Sequence, residues 1–205
     1  AGADFLITQP VYDLDQLEKL HERYESLAGE RLLKPLFIGL QVLEKDGILF
    51  SDVPEGVRRE LEELGAEVLA VPTDVTRPDQ LQALFDRTIS AYGRIDILVN
   101  NAGTAATGYF EDIDDEAWQT DLDLKLFAAG RCSRLALPYM KAQGGGRIIN
   151  VTNLHGKTPG AGSMPTSVSR AAGIALTKAM SKDYAADNIL VNTVCVGTIK
   201  SGQRE

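Results

Sequence analysis

The chain has 205 residues, 44% hydrophobic and 24% charged, which suits one compact α/β domain with a sizeable buried core. Twenty-one Lys and Arg against 29 Asp and Glu give a net charge of −8 and a pI near 4.9. That sign and the lack of any block of basic residues argue against a phosphate-backbone binder, and no nucleic-acid partner is expected.

The apolar runs are strand-sized, too short for a bilayer, so no membrane partner is expected either. No charged-then-apolar leader opens the chain. Cys132 and Cys195 are too few and too far apart for a disulfide framework or a zinc site, and a reducing, cytoplasmic setting is expected. A start at Ala1, without Met, fits a processed, truncated or fused beginning.

The predicted elements alternate along the chain. Asp4–Thr8 reads as a strand, and Asp13 suits the N-cap of a helix with Leu14, Leu17, Leu20 and Tyr24 on one stripe. Leu36–Val42 and Glu67–Val71 are the next two strands. Leu81, Leu84, Phe85, Ile89 and Tyr92 mark a helix, with Pro78 in its first turn and Gly93 just past its end. The strand Ile95–Val99 runs into Asn100-Asn101-Ala102-Gly103. The acidic run Glu111, Asp112, Asp114, Asp115 and Glu116 reads as a solvated helix start, where negative charge is favourable. A long helix follows on Trp118, Leu122, Leu126, Ala129 and Leu137. Gly144-Gly145-Gly146 precedes the strand Arg147–Val151. It reads as a flexible turn, because a phosphate cradle must follow a strand and open a helix. The helix from about Pro165 to Ala186 is rich in small residues, including Ala171, Ala172, Gly173 and Ala175. The sixth strand, Ile189–Val196, carries Cys195 as a small apolar residue. This alternation predicts an α/β fold: a Rossmann-like, doubly wound parallel sheet with helices on both faces.

From about Pro54 to Glu205 the sequence resembles the short-chain dehydrogenase/reductase family. The likeness rests on Leu69–Thr76, on Tyr92–Asp96 leading into the Asn-Asn-Ala-Gly tetrapeptide, on Arg147–Val151 and on Val191–Gly197. It implies NAD or NADP as cofactor, with Asp74 and Val75 bordering the adenine. Asn100, Ala102 and Gly103 would lie beside the ribose, and Gly197, Ile199 and Ser201 would close over the nicotinamide and phosphates. It also implies a small-molecule carbonyl or alcohol substrate, and a homodimer or homotetramer assembled through the two longest helices. The family's substrate loop would follow Glu205.

The same resemblance places unusual residues at the reactive positions. Aligned by Asn150 and Gly156, Asn153 stands where the family has Ser, Thr166 where it has Tyr, and Arg170 where it has Lys. Lys125 takes a helix position usually held by Asn. A Thr hydroxyl is a far weaker acid than a phenol with its pKa of about 10, so Thr166 faces the reacting oxygen without the family's acid strength. Arg170 suits ribose hydroxyls, and Asn153 can polarise a substrate oxygen through its amide. The proton would come from water, from His155 or from a relay. His155 also reads as a solvent-facing loop residue, and Lys125 as a solvated charge or a local ion-pair partner.

Residues 1–57 look different. Ala1–Asp13 resembles a strand and loop of methylenetetrahydrofolate reductases, which are flavin-using barrels, and Pro35–Gly39 and Val53–Val57 continue the likeness. In that family Gln9 would face folate, but a quarter of a barrel cannot close, so Gln9 reads as a strand end. The expected organisation is a β-α-β segment over 1–57 completing the sheet of a C-terminally truncated Rossmann domain over 58–205. Where the dehydrogenase family has a Gly-rich phosphate turn, this chain has Gln9-Pro10-Val11-Tyr12-Asp13. It lacks glycine there and places an acid at the helix start. These departures fit an impaired or non-catalytic nucleotide-binding or scaffold module, or a fusion with a folate-reductase fragment, as alternatives to an enzyme.

Overall fold

The computed structural model describes residues 6–8, 36–38, 69 and 71–197, and the chain separates into two compact units, 1–70 and 71–205. In the first unit, β1 (Leu6–Thr8) and β2 (Leu36–Ile38) pair in parallel, with Ile7 opposite Phe37. The predicted helix on Leu14–Tyr24 and the Gln9–Asp13 segment lie outside the described residues.

The second unit opens on a turn. Leu69 and Val71 carry no strand structure, unlike the predicted Glu67–Val71, whose remaining residues lie outside the described set. Side chains compete for the backbone here: Thr73 Oγ1 donates to the Val71 carbonyl at 2.9 Å, and Asp74 Oδ1 accepts from the Thr76 amide at 2.9 Å. Helix α1 (Pro78–Tyr92) follows. Pro78 occupies its first turn, where a missing N–H costs nothing, and Gly93 ends it at φ 72°, its N–H bonded to the Ile89 carbonyl.

Strand β3 (Ile97–Asn100) begins two residues later than predicted, because Ile95 is spent on the core before the ladder starts. After β4 (Thr107–Gly108), helix α2 (Asp115–Leu122) is capped by Asp114, whose carboxylate accepts from the Ala117 amide at 2.8 Å. The long helix expected from Trp118 to Leu137 is interrupted. A π-turn over Asp123–Phe127 separates α2 from α3 (Ala128–Ala142). The glycine run is the expected turn into β5 (Gly146–Asn153). Then come β6 (Met164–Pro165), α4 (Thr166–Asp183) and β7 (Ile189–Val196).

Strands β3, β5 and β7 form a parallel sheet with β5 in the centre, and β4 pairs antiparallel with β6. Side chains alternate across a strand, so Ile148 of β5 and Ile189 and Val191 of β7 point to one face. There they meet Leu81 and Phe85 of α1, Cys132, Ala136 and Met140 of α3, and Met180 of α4 in a single core. A parallel sheet whose strands are joined through helices is the Rossmann-like α/β architecture that the alternation predicts. Among the described residues no helix is long and apolar enough to cross a membrane.

Candidate active site

The carboxyl ends of β3 and β5, the π-turn and the start of α4 meet at one place. Beneath it lies a polar ladder at matched register. Asn100 donates to Asn150 Oδ1 at 2.8 Å, Asn150 donates to Thr177 Oγ1 at 2.8 Å, and Thr177 donates to the Gly173 carbonyl at 2.8 Å. Buried polar groups must be paired, and this chain of bonds ties both strands to α4. The Asn100 side chain, expected beside a ribose, is a strut of this ladder.

Above the ladder sits an ion pair. A π-turn fits one extra residue into the helix, a device frequent at functional sites, and here it carries Lys125 inward. The Lys125 and Asp121 side chains are 2% and 1% exposed and form a direct ion pair across one turn. Lys125 Nζ also donates to Thr166 Oγ1 at 2.6 Å, and Ser169 Oγ donates to Asp121 Oδ2 at 2.5 Å. The Thr166 hydroxyl accepts a second bond from the Ala106 amide at 3.2 Å and donates to Asp121 Oδ1 at 3.3 Å. Every lone pair and proton of that hydroxyl is therefore engaged, which makes it a strut between α2, α4 and Lys125. Lys125 is thus a buried ion-pair partner rather than a solvated charge. Burial pulls its pKa below the ordinary lysine value and nearby Arg170 adds to that, while Asp121 opposes both.

Arg170, one turn beyond Thr166, donates from Nη1 to the Val151 carbonyl at 2.8 Å, and its buried Nε meets no partner among the described residues. Burial likewise pulls its pKa down. Two glycines make room for it. A Cβ on Gly103 would come within 3.1 Å of Arg170 Nη2, and one on Gly156 within 3.0 Å of the Arg170 backbone. Asn153 ends β5, and its Oδ1 is buried without a partner among the described residues. His155 lies half-buried in the turn Leu154–Gly156 and shares no hydrogen bond with the Asp121–Lys125–Thr166 set.

A cavity of about 260 Å³ runs alongside, walled by Asn101, Ala102, Lys125 and Arg170 at its polar end and by Val75 and Phe85 at its apolar end. Asp74 holds the turn before α1, and Val75 reaches the cavity, so of that pair only Val75 lines it. Gly197 is exposed at the end of β7, and Ile199 and Ser201 lie outside the described residues. The structure therefore brings together Lys125, Thr166, Arg170 and Gly103, and adds Asp121 and Ser169, which the sequence reading missed. Their signal was present as an acid–base pair at i, i+4 and a hydroxyl three residues past Thr166.

A family model described as short chain dehydrogenase matches residues 50–205. The chain belongs to this family. It is 36% identical over 154 residues to cis-4-hydroxycyclohexanecarboxylate dehydrogenase of Sinomonas cyclohexanicum, covering 73% of this chain and 62% of that protein. It is 32% identical over 155 residues to a 3-oxoacyl-[acyl-carrier-protein] reductase of Synechocystis, covering 76% and 63%. Among solved structures, 7α-hydroxysteroid dehydrogenase complexed with NADH and 7-oxo glycochenodeoxycholic acid superposes with a TM-score of 0.67. That match has 30% identity and covers 78% of this chain and 60% of that one. The chain spans about three fifths of the length of the curated relatives it matches. Family membership bears out the expectation drawn from Asn100–Gly103 and the segments around it.

Proposed function

We propose that this chain is an NAD- or NADP-dependent oxidoreductase acting on a small carbonyl or alcohol. The observation that carries the reading is Arg170. Its guanidinium is anchored to β5 through Val151 and packed against Gly103, Arg170 lines the cavity together with Asn101 and Ala102, and its Nε is buried without a partner among the described residues. A guanidinium at the cavity lining offers N–H donors that ribose hydroxyls can accept, so the residues present fit the nicotinamide half of a dinucleotide.

The dinucleotide, when bound, supplies or accepts a hydride. Arg170 would hold its ribose, with Ala102 and Gly103 beside it, and Val75 would offer an apolar wall to the adenine. Asn153, at the end of β5, would polarise the substrate oxygen through its amide. Gly197, Ile199 and Ser201 are carried over from the family resemblance as cofactor-binding positions. The relatives that are named for cyclic hydroxycarboxylates and 3-oxoacyl groups support a secondary alcohol or ketone as the reacting function. The exposed Val168, Ala171 and Ala175 on α4 support assembly of like chains through that helix, and the cytoplasm is its proposed location.

Fluorescence titration with NADH and NADPH tests the reading directly. Saturable quenching at micromolar to millimolar dinucleotide is expected, and its absence at millimolar levels removes the proposal. Saturation without turnover on a panel of cyclic ketones would leave a nucleotide-binding module.

A further inference from the structure

We propose that Lys125 is the proton donor of the reduction, standing in for the absent phenol, with Asp121 and Ser169 as its positioning residues. The assignment rests on the dehydrogenase reading above and supplies what that reading lacks, a source for the proton.

Among the described residues, the two other candidates at this position are less well placed. The Thr166 hydroxyl, at the position of the family's acid, has its proton on Asp121 and accepts from both Lys125 and Ala106. His155 is not joined to this set. The Lys125 ammonium, by contrast, lies one hydrogen bond from Thr166 Oγ1, at 2.6 Å, and Lys125 forms part of the cavity wall with Asn101 and Arg170. An ammonium has three N–H donors, and Asp121 and Thr166 account for two. Asp121 cannot itself give a proton while it is ionised; one oxygen faces Lys125 and the other accepts from Ser169, so it holds the amine at a fixed point. The π-turn brings Lys125 there, and its placement in the interior has a cost that a purely exposed lysine would avoid.

The step balances as follows. The carbonyl carbon receives a hydride from the reduced nicotinamide, and the oxygen keeps the π electron pair. That oxygen takes a proton from Lys125: the N–H bond breaks, the O–H bond of the alcohol forms, and a neutral amine remains. A solvent proton restores the ammonium. The groups facing Lys125 are Asp121 from α2, Arg170 from α4 and the Thr166 hydroxyl; burial and Arg170 favour the neutral amine, and Asp121 favours the ammonium. Reduction needs the ammonium, so its rate falls as pH rises through the Lys125 pKa.

Lys125→Met alone would strand a buried carboxylate, so the test uses Asp121→Asn/Lys125→Met together with Lys125→Arg. The arginine keeps the charge and the pairing but does not release a proton in the working range. Three readouts apply to each protein: quenching by NADH and NADPH, turnover on small cyclic ketones, and, in wild type, carbon-13 NMR titration of Lys125 Cε. Expected are dinucleotide Kd values within about threefold of wild type and turnover reduced by roughly 100-fold or more in both variants. The Lys125 titration should lie below the ordinary lysine range and coincide with the loss of turnover. Turnover within threefold of wild type in either variant overturns the proposal. So does a Lys125 amine that titrates at or above the ordinary range, or loss of quenching in both variants, which assigns the pair to structure. A wild type that fails to quench overturns the dehydrogenase reading itself, so the two failures are told apart.

Discussion

Asp121 and Lys125 place two opposite charges where water does not reach, and that fixes what their substitution should do. Asp121→Ala leaves the ammonium beside Arg170 with no carboxylate, an uncompensated buried charge that costs about 3–5 kcal/mol. Urea unfolding should show that loss, and Asp121→Asn/Lys125→Met should recover most of it, because removing both charges also removes their desolvation. Cys132 makes a second case. Burial in the core pushes its thiol up to about 11. Its folded pKa is raised, so the stability it contributes is complete below the pKa of the unfolded thiol. It is lost as pH rises from there through the folded value. Stability should therefore fall by up to about 3 kcal/mol over that alkaline window and flatten in Cys132→Ala, measured as urea midpoints across pH. At pH 8 the native thiol should also react with a disulfide reagent far more slowly than the unfolded chain does. The candidate positions Asn153, Thr166, Arg170 and Lys125 follow from motif spacing, and the structure brings Lys125, Thr166 and Arg170 together. Their orientations were not legible in the sequence, because helical spacing does not reveal that a π-turn rotates Lys125 into the interior or that the Thr166 hydroxyl is consumed by three neighbours.

Local rules located the elements best where end signals and apolar stripe agree. Helix α1 has Pro78 at its start, Gly93 in the left-handed region at its end, and Leu81 and Phe85 on the core side, so its boundaries could be read off the chain. The junction of α2 and α3 offers no such signal. Leu122, Leu126 and Ala129 keep a helical rhythm straight through Asp123–Phe127, and only tertiary packing of Lys125 against Thr166 selects the wider turn. Strand β3 was misplaced by two residues for a related reason: Ile95 is as apolar as Ile97, and periodicity cannot say which of them pairs with β5. Helix α2 depends on its cap. It is short and largely exposed, and Asp114 satisfies the Ala117 amide while adding negative charge at the N-terminus. Asp114→Ala should destabilise the protein by about 1 kcal/mol, read as a lower thermal midpoint, and Asp114→Ser should recover most of it. If instead the substitution leaves the midpoint unchanged, α2 is held by the Asp121 network alone.

At the scale of the molecule, stability and chemistry are divided between different layers. Strand β5 is paired on both sides, its Ile148 and Ile149 are 0% and 3% exposed, and its far end carries Asn153. The site is thus hung on the most constrained strand of the described residues, while one wall of it, α2, is an eight-residue helix whose outer face is in water. Local opening follows buried contacts and protected backbone bonds, so the two walls should move independently. Amide hydrogen exchange should be slowest across Ile148–Val151 and faster in Ala117–Thr120 by roughly 100-fold or more. Opening α2 would expose the Asp121–Lys125 pair, and an exposed pair is worth far less than a buried one, so on the proposed mechanism such openings would let solvent re-protonate Lys125 without unfolding the sheet. That coupling makes a distinct forecast. In Asp121→Asn/Lys125→Met the exchange of Ala117–Thr120 should change, because α2 loses its anchor to Thr166 and Ser169, while Ile148–Val151 should keep its protection relative to global stability. Equal changes in both segments would mean that α2 and the sheet open as one unit.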